Sequence, residues 1–284
     1  MKGELVNFFT SDGLRLYGFL SETKGTAGII YLHGMTGNFY WRDFISTLSD
    51  VVAKNKIMLL TFGNRGAGVI SKFYTPKSKS KIFGTNLEKF EDCIKDIDAA
   101  ISFLGKYGCK KIFLVGHSTG CQKSAYYMAK TNDNRVAGIV LLAPADDYGL
   151  YKKKFGNKMK KLLQVSREMI SEGKGNELMP KYSEEIPYSA QRLNSVVDLK
   201  RAEARIFNYE TDLEFVKKIR VPMLAVFGSH EQHAVIAPRK MLDMIKSAAR
   251  VPCKTILIKG ANHSFIGKEK KVVEAVAKWI KKVA

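Results

Sequence analysis

A serine stands between two glycines in Gly116-His117-Ser118-Thr119-Gly120; an apolar run leads into it, and a helical pattern through Ala125, Tyr126 and Ala129 leads away. A strand turning this sharply into a helix forces its central residue to positive φ and leaves no room for bulk on either side. The Ser118 hydroxyl is thereby lifted clear of the backbone, open to a base on one side and a carbonyl carbon on the other. The Thr119 N–H, at the start of the helix, then points at the oxyanion such an attack would create. A second loop, His33-Gly34-Met35-Thr36-Gly37-Asn38, follows a continuous apolar run. Its glycines let backbone approach a ligand closely, and the Met35 N–H is the expected second oxyanion donor.

A serine nucleophile needs a base, and the base needs a carboxylate behind it. Of the five histidines, His117 is expected to be directed away from Ser118 by the turn, His33 belongs to the oxyanion loop, and His230 and His233 flank a candidate acid. His263, in a loop just past the last strand, is the expected base. Glu231 follows the penultimate strand, and Ser118, Glu231, His263 fall in the order nucleophile, acid, histidine. Asp146 and Asp147, one strand earlier, are rival acids. A metal site at His230, Glu231 and His233 is disfavoured, because H-E-x-H lacks the i, i+4 spacing that puts two ligands on one helix face. No cofactor is implied.

These residues must be held by a sheet. Residues 4–10 and 15–21 alternate around Ser11-Asp12-Gly13 and read as a hairpin. Apolar strands are expected at 27–32, 57–62, 111–117, 136–143, 222–227 and 255–259, with helices between them, the first of these over 40–54. Thr85 to Glu88 has the form of a capping box, and Leu87, Phe90, Ile94, Ile97, Ile101 and Leu104 continue as a helical stripe. Strands alternating with helices give a mostly parallel sheet, here of eight strands, whose ligands bind at the carboxyl ends. His33, Arg65, Ser118, Asp146, Glu231 and His263 all follow strand ends. Between 145 and 210 the strand rhythm stops. This helical segment is expected to form a cap inserted after the sixth strand, over a core made of 1–144 and 211–284.

The chain has 284 residues, 45% of them hydrophobic, with no apolar run near the ~20 residues of a membrane span. No export signal is legible, and four cysteines without C-x-x-C spacing suit a reducing cytoplasm. The formal charge is +20, yet no nucleic-acid motif accompanies it, so the partner expected is a small-molecule ester rather than nucleic acid or a stably inserted membrane. Lys152, Lys153, Lys154, Lys158, Lys160 and Lys161 crowd one stretch of the cap and would make the entrance positive; a solvated outer face is the alternative.

On the Ser118 motif, the His33 loop and the strand order, the chain resembles the α/β-hydrolase superfamily over essentially its whole length. Gly116 to Gln122, with Glu172-Gly173-Lys174-Gly175-Asn176-Glu177-Leu178-Met179-Pro180, resembles more narrowly the DUF1749 group, which includes fungal siderophore esterases. The resemblance implies a serine carboxylic-ester hydrolase; Glu231 stands where that family usually has aspartate. Thioesterase, amidase or acyltransferase chemistry on the same residues, or a ligand-binding relative without catalysis, are the other readings the family allows.

Overall fold

The opening alternation becomes a hairpin in which β1 (Gly3–Phe9) and β2 (Arg15–Ser21) pair antiparallel, turning Leu16 and Leu20 into the core. The computed structural model describes residues 2–40, 43–77, 79–180 and 188–284, so residues 41 and 42 at the expected start of the first helix lie outside the described residues. β3 (Ala27–Leu32), α1 (Asp43–Lys54) and β4 (Ile57–Phe62) lead to a short hairpin, β5 (Ser71–Tyr74) and β6 (Ser80–Phe83). α2 (Cys93–Gly105), β7 (Lys111–His117), α3 (Thr119–Thr131) and β8 (Val136–Leu142) follow. Next, among the described residues, come the helices α4 (Asp147–Phe155), α5 (Lys158–Ser171), α6 (Ala190–Val197), α7 (Glu203–Ile206) and α8 (Glu214–Lys218). The chain closes with β9 (Met223–Gly228), α9 (Pro238–Ala248), β10 (Cys253–Ile258) and α10 (Glu269–Val283).

Among the described residues the sheet has ten strands rather than eight, in the order β10-β9-β8-β7-β3-β4-β2-β5-β6, with β1 on β2. The extra pair is the β5–β6 hairpin, whose two four-residue strands bury only Phe73 and so carry almost no apolar signal. From β4 through β3, β7, β8 and β9 to β10 the strands run parallel. β4, β7, β8 and β9 are buried along almost their whole length, as strands covered on both faces must be. α1 packs against α10, and α3 packs against α2 and α8. β3 has β4 on one side and β7 on the other, so the strand order reverses between β3 and β7. A crevice opens at the carboxyl ends of strands at such a reversal.

The helical stripe expected from Leu87 begins later. After a single 3-10 turn over Phe90–Asp92, α2 starts at Cys93. Thr85 caps nothing: its hydroxyl donates to the Gly66 carbonyl (2.8 Å) and accepts the Thr36 N–H (2.7 Å), tying together three loops on one edge of the sheet. Glu88 is likewise drawn into a buried ion pair with Lys123. Tertiary bonds have overridden the local cap.

α4, α5 and α6 enclose a second apolar cluster of Phe155, Met159, Tyr188, Leu193 and Val196, separate from the main core. Full burial of Leu193 or Val196 contributes roughly 1.5–3 kcal/mol each. Met35 packs against this cluster, so the loop after β3 and the helical segment share a surface. Among the described residues no helix is long and apolar enough to cross a membrane. All four cysteines are free thiols.

α3 is pressed against the end of β3: a Cβ on Gly120 would lie 2.0 Å from the Leu32 carbonyl oxygen. Two backbone segments cannot yield as a side chain would. Gly120→Ala is therefore expected to destabilise by at least about 2 kcal/mol in urea denaturation. Gly105→Ala, at the end of α2 with nothing within 4 Å, should instead be neutral or stabilising by up to ~1 kcal/mol. Equal effects at the two sites would contradict the packing described.

Candidate active site

Ser118 sits between β7 and α3 with φ 55° and ψ −127°, a conformation that L side chains rarely adopt. Its N–H donates to the Leu142 carbonyl (2.9 Å) and its carbonyl accepts from the Cys121 N–H (2.8 Å), so bonds on both sides hold the turn. The loop after β3 comes up against it: a Cβ on Gly34 would lie 2.8 Å from Ser118 Cβ and 3.1 Å from the His117 carbonyl. Only glycine allows this approach. That loop is closed by Gly37 N–H to the Gly34 carbonyl (3.2 Å), which leaves the Met35 amide out of the turn bonding. Thr119 is the first residue of α3, where an N–H has no partner within the helix.

His33 is buried, and burial, seconded by the positive Lys123, lowers its pKa to about 4. The ring is thus neutral: Nδ1 faces the Gly34 carbonyl at 2.8 Å and Nε2 accepts the Asn64 N–H at 3.2 Å, which fixes the proton on Nδ1.

His263 follows β10 and Glu231 follows β9, and the parallel pairing of these strands sets the two loops side by side. Nδ1 of His263 lies 2.7 Å from Oε1 of Glu231, so an Nδ1–H donates to the carboxylate and Nε2 is left basic. Oε1 also accepts the His233 N–H (3.1 Å). The His263 N–H donates to Gln232 Oε1 (2.8 Å), and the His263 carbonyl accepts from His117 Nε2 (2.9 Å). His117 therefore reaches toward His263 instead of pointing away from the site. The reason is distance: the two rings lie 5.0 Å apart across the mouth of the turn.

The rival acids, Asp146 and Asp147, accept hydrogen bonds from groups other than His263. Asp146 caps α4, accepting from Gly149 N–H (2.7 Å) and Tyr209 N–H (3.1 Å), and Asp147 accepts from Gln122 Nε2 (2.7 Å). Burial raises both, Asp146 to about 6 and Asp147 to about 8, the latter helped by the negative Glu203. Arg65 is also absorbed into structure, bridging Asp96 at 2.7 Å and Asp12 at 3.2 Å.

Ser118, Thr119, His263, Met35 and His117 line one cavity of about 670 Å³. α4 contributes Asp147, Leu150, Tyr151, Lys153 and Lys154 to the same lining. Of the six lysines crowded into the sequence here, only Lys153 and Lys154 line it; Lys152 pairs with Glu210 at 2.7 Å.

A group illegible in the sequence lies below. Lys123 Nζ donates to Glu88 Oε2 (2.6 Å) and to Asn64 Oδ1 (2.9 Å), while Arg192 pairs with Glu203 and stands 3.7 Å from Glu88. All four ionic side chains are buried. Burial alone would raise Glu88, but Lys123 and Arg192 outweigh it and hold the carboxyl below its usual range. Lys123 lies just past Ser118 in a helix buried on nearly every side, the only signal that could have marked it.

The fold is that of the α/β-hydrolases. An α/β hydrolase, GrgF, from Penicillium sp. sh18 superposes with a TM-score of 0.68 at 18% identity over 99% of both chains. The siderophore hydrolase EstB from Aspergillus fumigatus superposes with a TM-score of 0.72 at 16% identity, over 100% of this chain and 98% of that one. The family described as "Protein of unknown function (DUF1749)" matches residues 72–283, and the chain belongs to that family. The UPF0613 protein PB24D3.06c of Schizosaccharomyces pombe (strain 972 / ATCC 24843) is 30% identical over 119 residues, which are 39% of this chain and 38% of that protein. The match thus spans well under two thirds of that relative's length.

The raised Asp147 has a consequence for stability. An ordinary aspartate ionises at ~3.9, so between there and about 8 the folded protein keeps a proton that the unfolded chain has released, and stability falls as pH rises. The amide introduced by Asp147→Asn does not titrate, yet its oxygen can still accept from Gln122. The stability of Asp147→Asn relative to wild type should therefore increase from pH ~5 to ~8, by up to about 1 kcal/mol per pH unit in urea midpoints. A flat difference would mean that Asp147 is ionised in the folded state.

Proposed function

We propose that this protein is a serine hydrolase that cleaves carboxylic esters through an acyl-enzyme on Ser118. The single observation that carries the reading is the 2.7 Å contact between His263 Nδ1 and Glu231, with His263 and Ser118 lining one cavity. Ser118 Oγ attacks the acyl carbon as its proton passes to His263 Nε2, and the Met35 and Thr119 amides receive the developing oxyanion. Collapse breaks the bond to the alkoxide, which leaves with the proton from His263. Water then gives a proton to His263 and attacks the acyl carbon, and the acid departs as Ser118 recovers its proton. Glu231 orients the imidazole and stabilises its protonated form. The segment 145–210 serves as the cap over a core formed by 1–144 and 211–284, a reading supported by Tyr151 and Tyr188 of that segment lining the cavity with Ser118. The likeness to EstB makes siderophore esters one substrate class to test early.

Ser118→Ala is expected to abolish labelling by a fluorophosphonate and to lower kcat for model esters by ~10⁴–10⁶ while leaving the thermal transition in place. Retained labelling or turnover would sink the serine mechanism.

Glu231→Gln keeps the shape of the side chain but removes its charge, and kcat should fall by ~10²–10⁴. Asp146→Asn and Asp147→Asn should lower kcat far less. If one of these aspartate variants proved the crippled one, the orienting acid would be that residue.

A further inference from the structure

Beside His263 the cavity is lined by the loop after β9, through Gln232, His233 and Ala234. The first two carry side chains that form hydrogen bonds, and both are held by the residues they flank. Gln232 Oε1 accepts the His263 N–H at 2.8 Å, and an amide whose oxygen is committed in this way presents its Nε2 group as a donor in a fixed place. His233 gives its backbone N–H to Glu231 Oε1 at 3.1 Å, and its ring packs edge-to-face with that of His263, the centroids 4.5 Å apart. Among the described residues, neither Gln232 Nε2 nor either ring nitrogen of His233 has a hydrogen-bond partner.

Both side chains are exposed at the mouth of the cavity. The His233 ring is nonetheless partly desolvated by its neighbours, and this first, then the adjacent His263, lower its pKa. At pH 7 it is neutral, with one donor and one acceptor nitrogen. Polar side chains in an exposed loop are ordinary. These two differ in that each is oriented by contact with the acid or the base, so they keep a set position relative to the reacting atoms. In ester cleavage the proton on His263 Nε2 passes to the departing alkoxide, which brings the ester oxygen within hydrogen-bond reach of that nitrogen. The alcohol half of the substrate then extends past the His263 ring, where Gln232 and His233 stand.

We propose that Gln232 and His233 form a polar subsite for the alcohol half of the ester, favouring alcohols with a hydroxyl close to the ester oxygen over plain alkyl alcohols. The inference rests on the ester-hydrolase reading of Ser118 and His263 for the direction in which the alcohol leaves. Groups at the mouth exchange water for substrate, so each hydrogen bond contributes a small factor instead of absolute selectivity.

The test compares 2-hydroxyethyl butanoate with propyl butanoate, which differ by a hydroxyl in place of a methyl group. Each kcat/KM is divided by that ester's rate with hydroxide, which removes intrinsic reactivity. The corrected ratio should favour the hydroxylated ester by about three- to tenfold. His233→Phe keeps a ring against His263 but no nitrogen, and should lower the ratio; His233→Gln, which restores a hydrogen-bonding group, should recover part of it. Gln232→Met costs both esters the anchor on the His263 N–H, so its effect on recognition is read in the ratio alone. The double variant His233→Phe, Gln232→Met should bring the ratio near one, whereas His230→Phe, in the same loop but outside the lining, should preserve it. A wild-type ratio near one overturns the proposal. So does a ratio that survives the double variant, which would mean that these residues act on turnover of any ester alike. Absence of turnover on both esters refutes the hydrolase reading instead, and binding of the two esters to Ser118→Ala protein, by ligand-observed NMR, then decides the recognition. Tighter binding of the hydroxylated ester, lost when the double variant is added, keeps the subsite; equal binding, or none, refutes it.

Discussion

A lysine amine as deeply buried as that of Lys123 is unsustainable without an anion against it, since the effective penalty for burying one ion is several kcal/mol. Lys123 rides on α3 behind Ser118, Glu88 comes from the segment between β6 and α2, Asn64 from the loop after β4, and Arg192 and Glu203 from α6 and α7. Their pairing therefore dictates where the helical segment sits on the sheet. Ser189, at the start of α6, adds a second tie through its N–H to Asn86 Oδ1 and its hydroxyl to the Asn86 carbonyl at 2.6 Å. Next to it, Tyr188 places its hydroxyl 2.5 Å from that of Tyr151 and 3.2 Å from Met35 Sδ. Removing one member would strand a buried charge at about 3–5 kcal/mol, so the set is held or lost as a unit.

The same cation reaches into the site. Its field helps keep His33 neutral, and a neutral His33 can accept the Asn64 N–H on Nε2 while donating from Nδ1 to the Gly34 carbonyl. Gly34 is the residue that touches Ser118. The position of the Met35 amide is thus linked, through His33 and Asn64, to the ion pair that seats the helical segment. His263 is anchored independently at three points, its ring by Glu231, its N–H by Gln232 and its carbonyl by His117. Glu231 does two things with one oxygen, taking both His263 Nδ1 and the His233 N–H of its own loop.

Elements whose period is imposed by burial were legible in the sequence. β3, β4, β7, β8 and β9 are apolar because helices cover both their faces, and the glycines at 116 and 120 stand where backbones collide. The residues that could do chemistry were legible for a related reason, since a parallel sheet delivers them all to one edge. The β5–β6 hairpin was not, because exposed strands carry no apolar period. Nor was the delayed start of α2, where Thr85 and Glu88 serve partners 19 to 49 and 35 residues distant instead of the helix beside them. Buried charge pairs such as Lys123 with Glu88 are invisible to any local rule, for each residue alone reads as surface.

Net charge illustrates the same limit from the other direction. Several of the chain's cations are paired singly at the surface, as with Lys174 on Glu172 and Lys217 on Asp212, and exposed pairs of this kind contribute only about 0–1 kcal/mol each. A sum over such residues says little about the cavity. What sets the potential there is which charges survive burial: Asp147 is neutralised by desolvation and His33 likewise, whereas Lys153 and Lys154 of α4 are exposed. Selective discharge of the buried acid, more than the excess of lysine, is what leaves α4's face of the cavity without a negative charge.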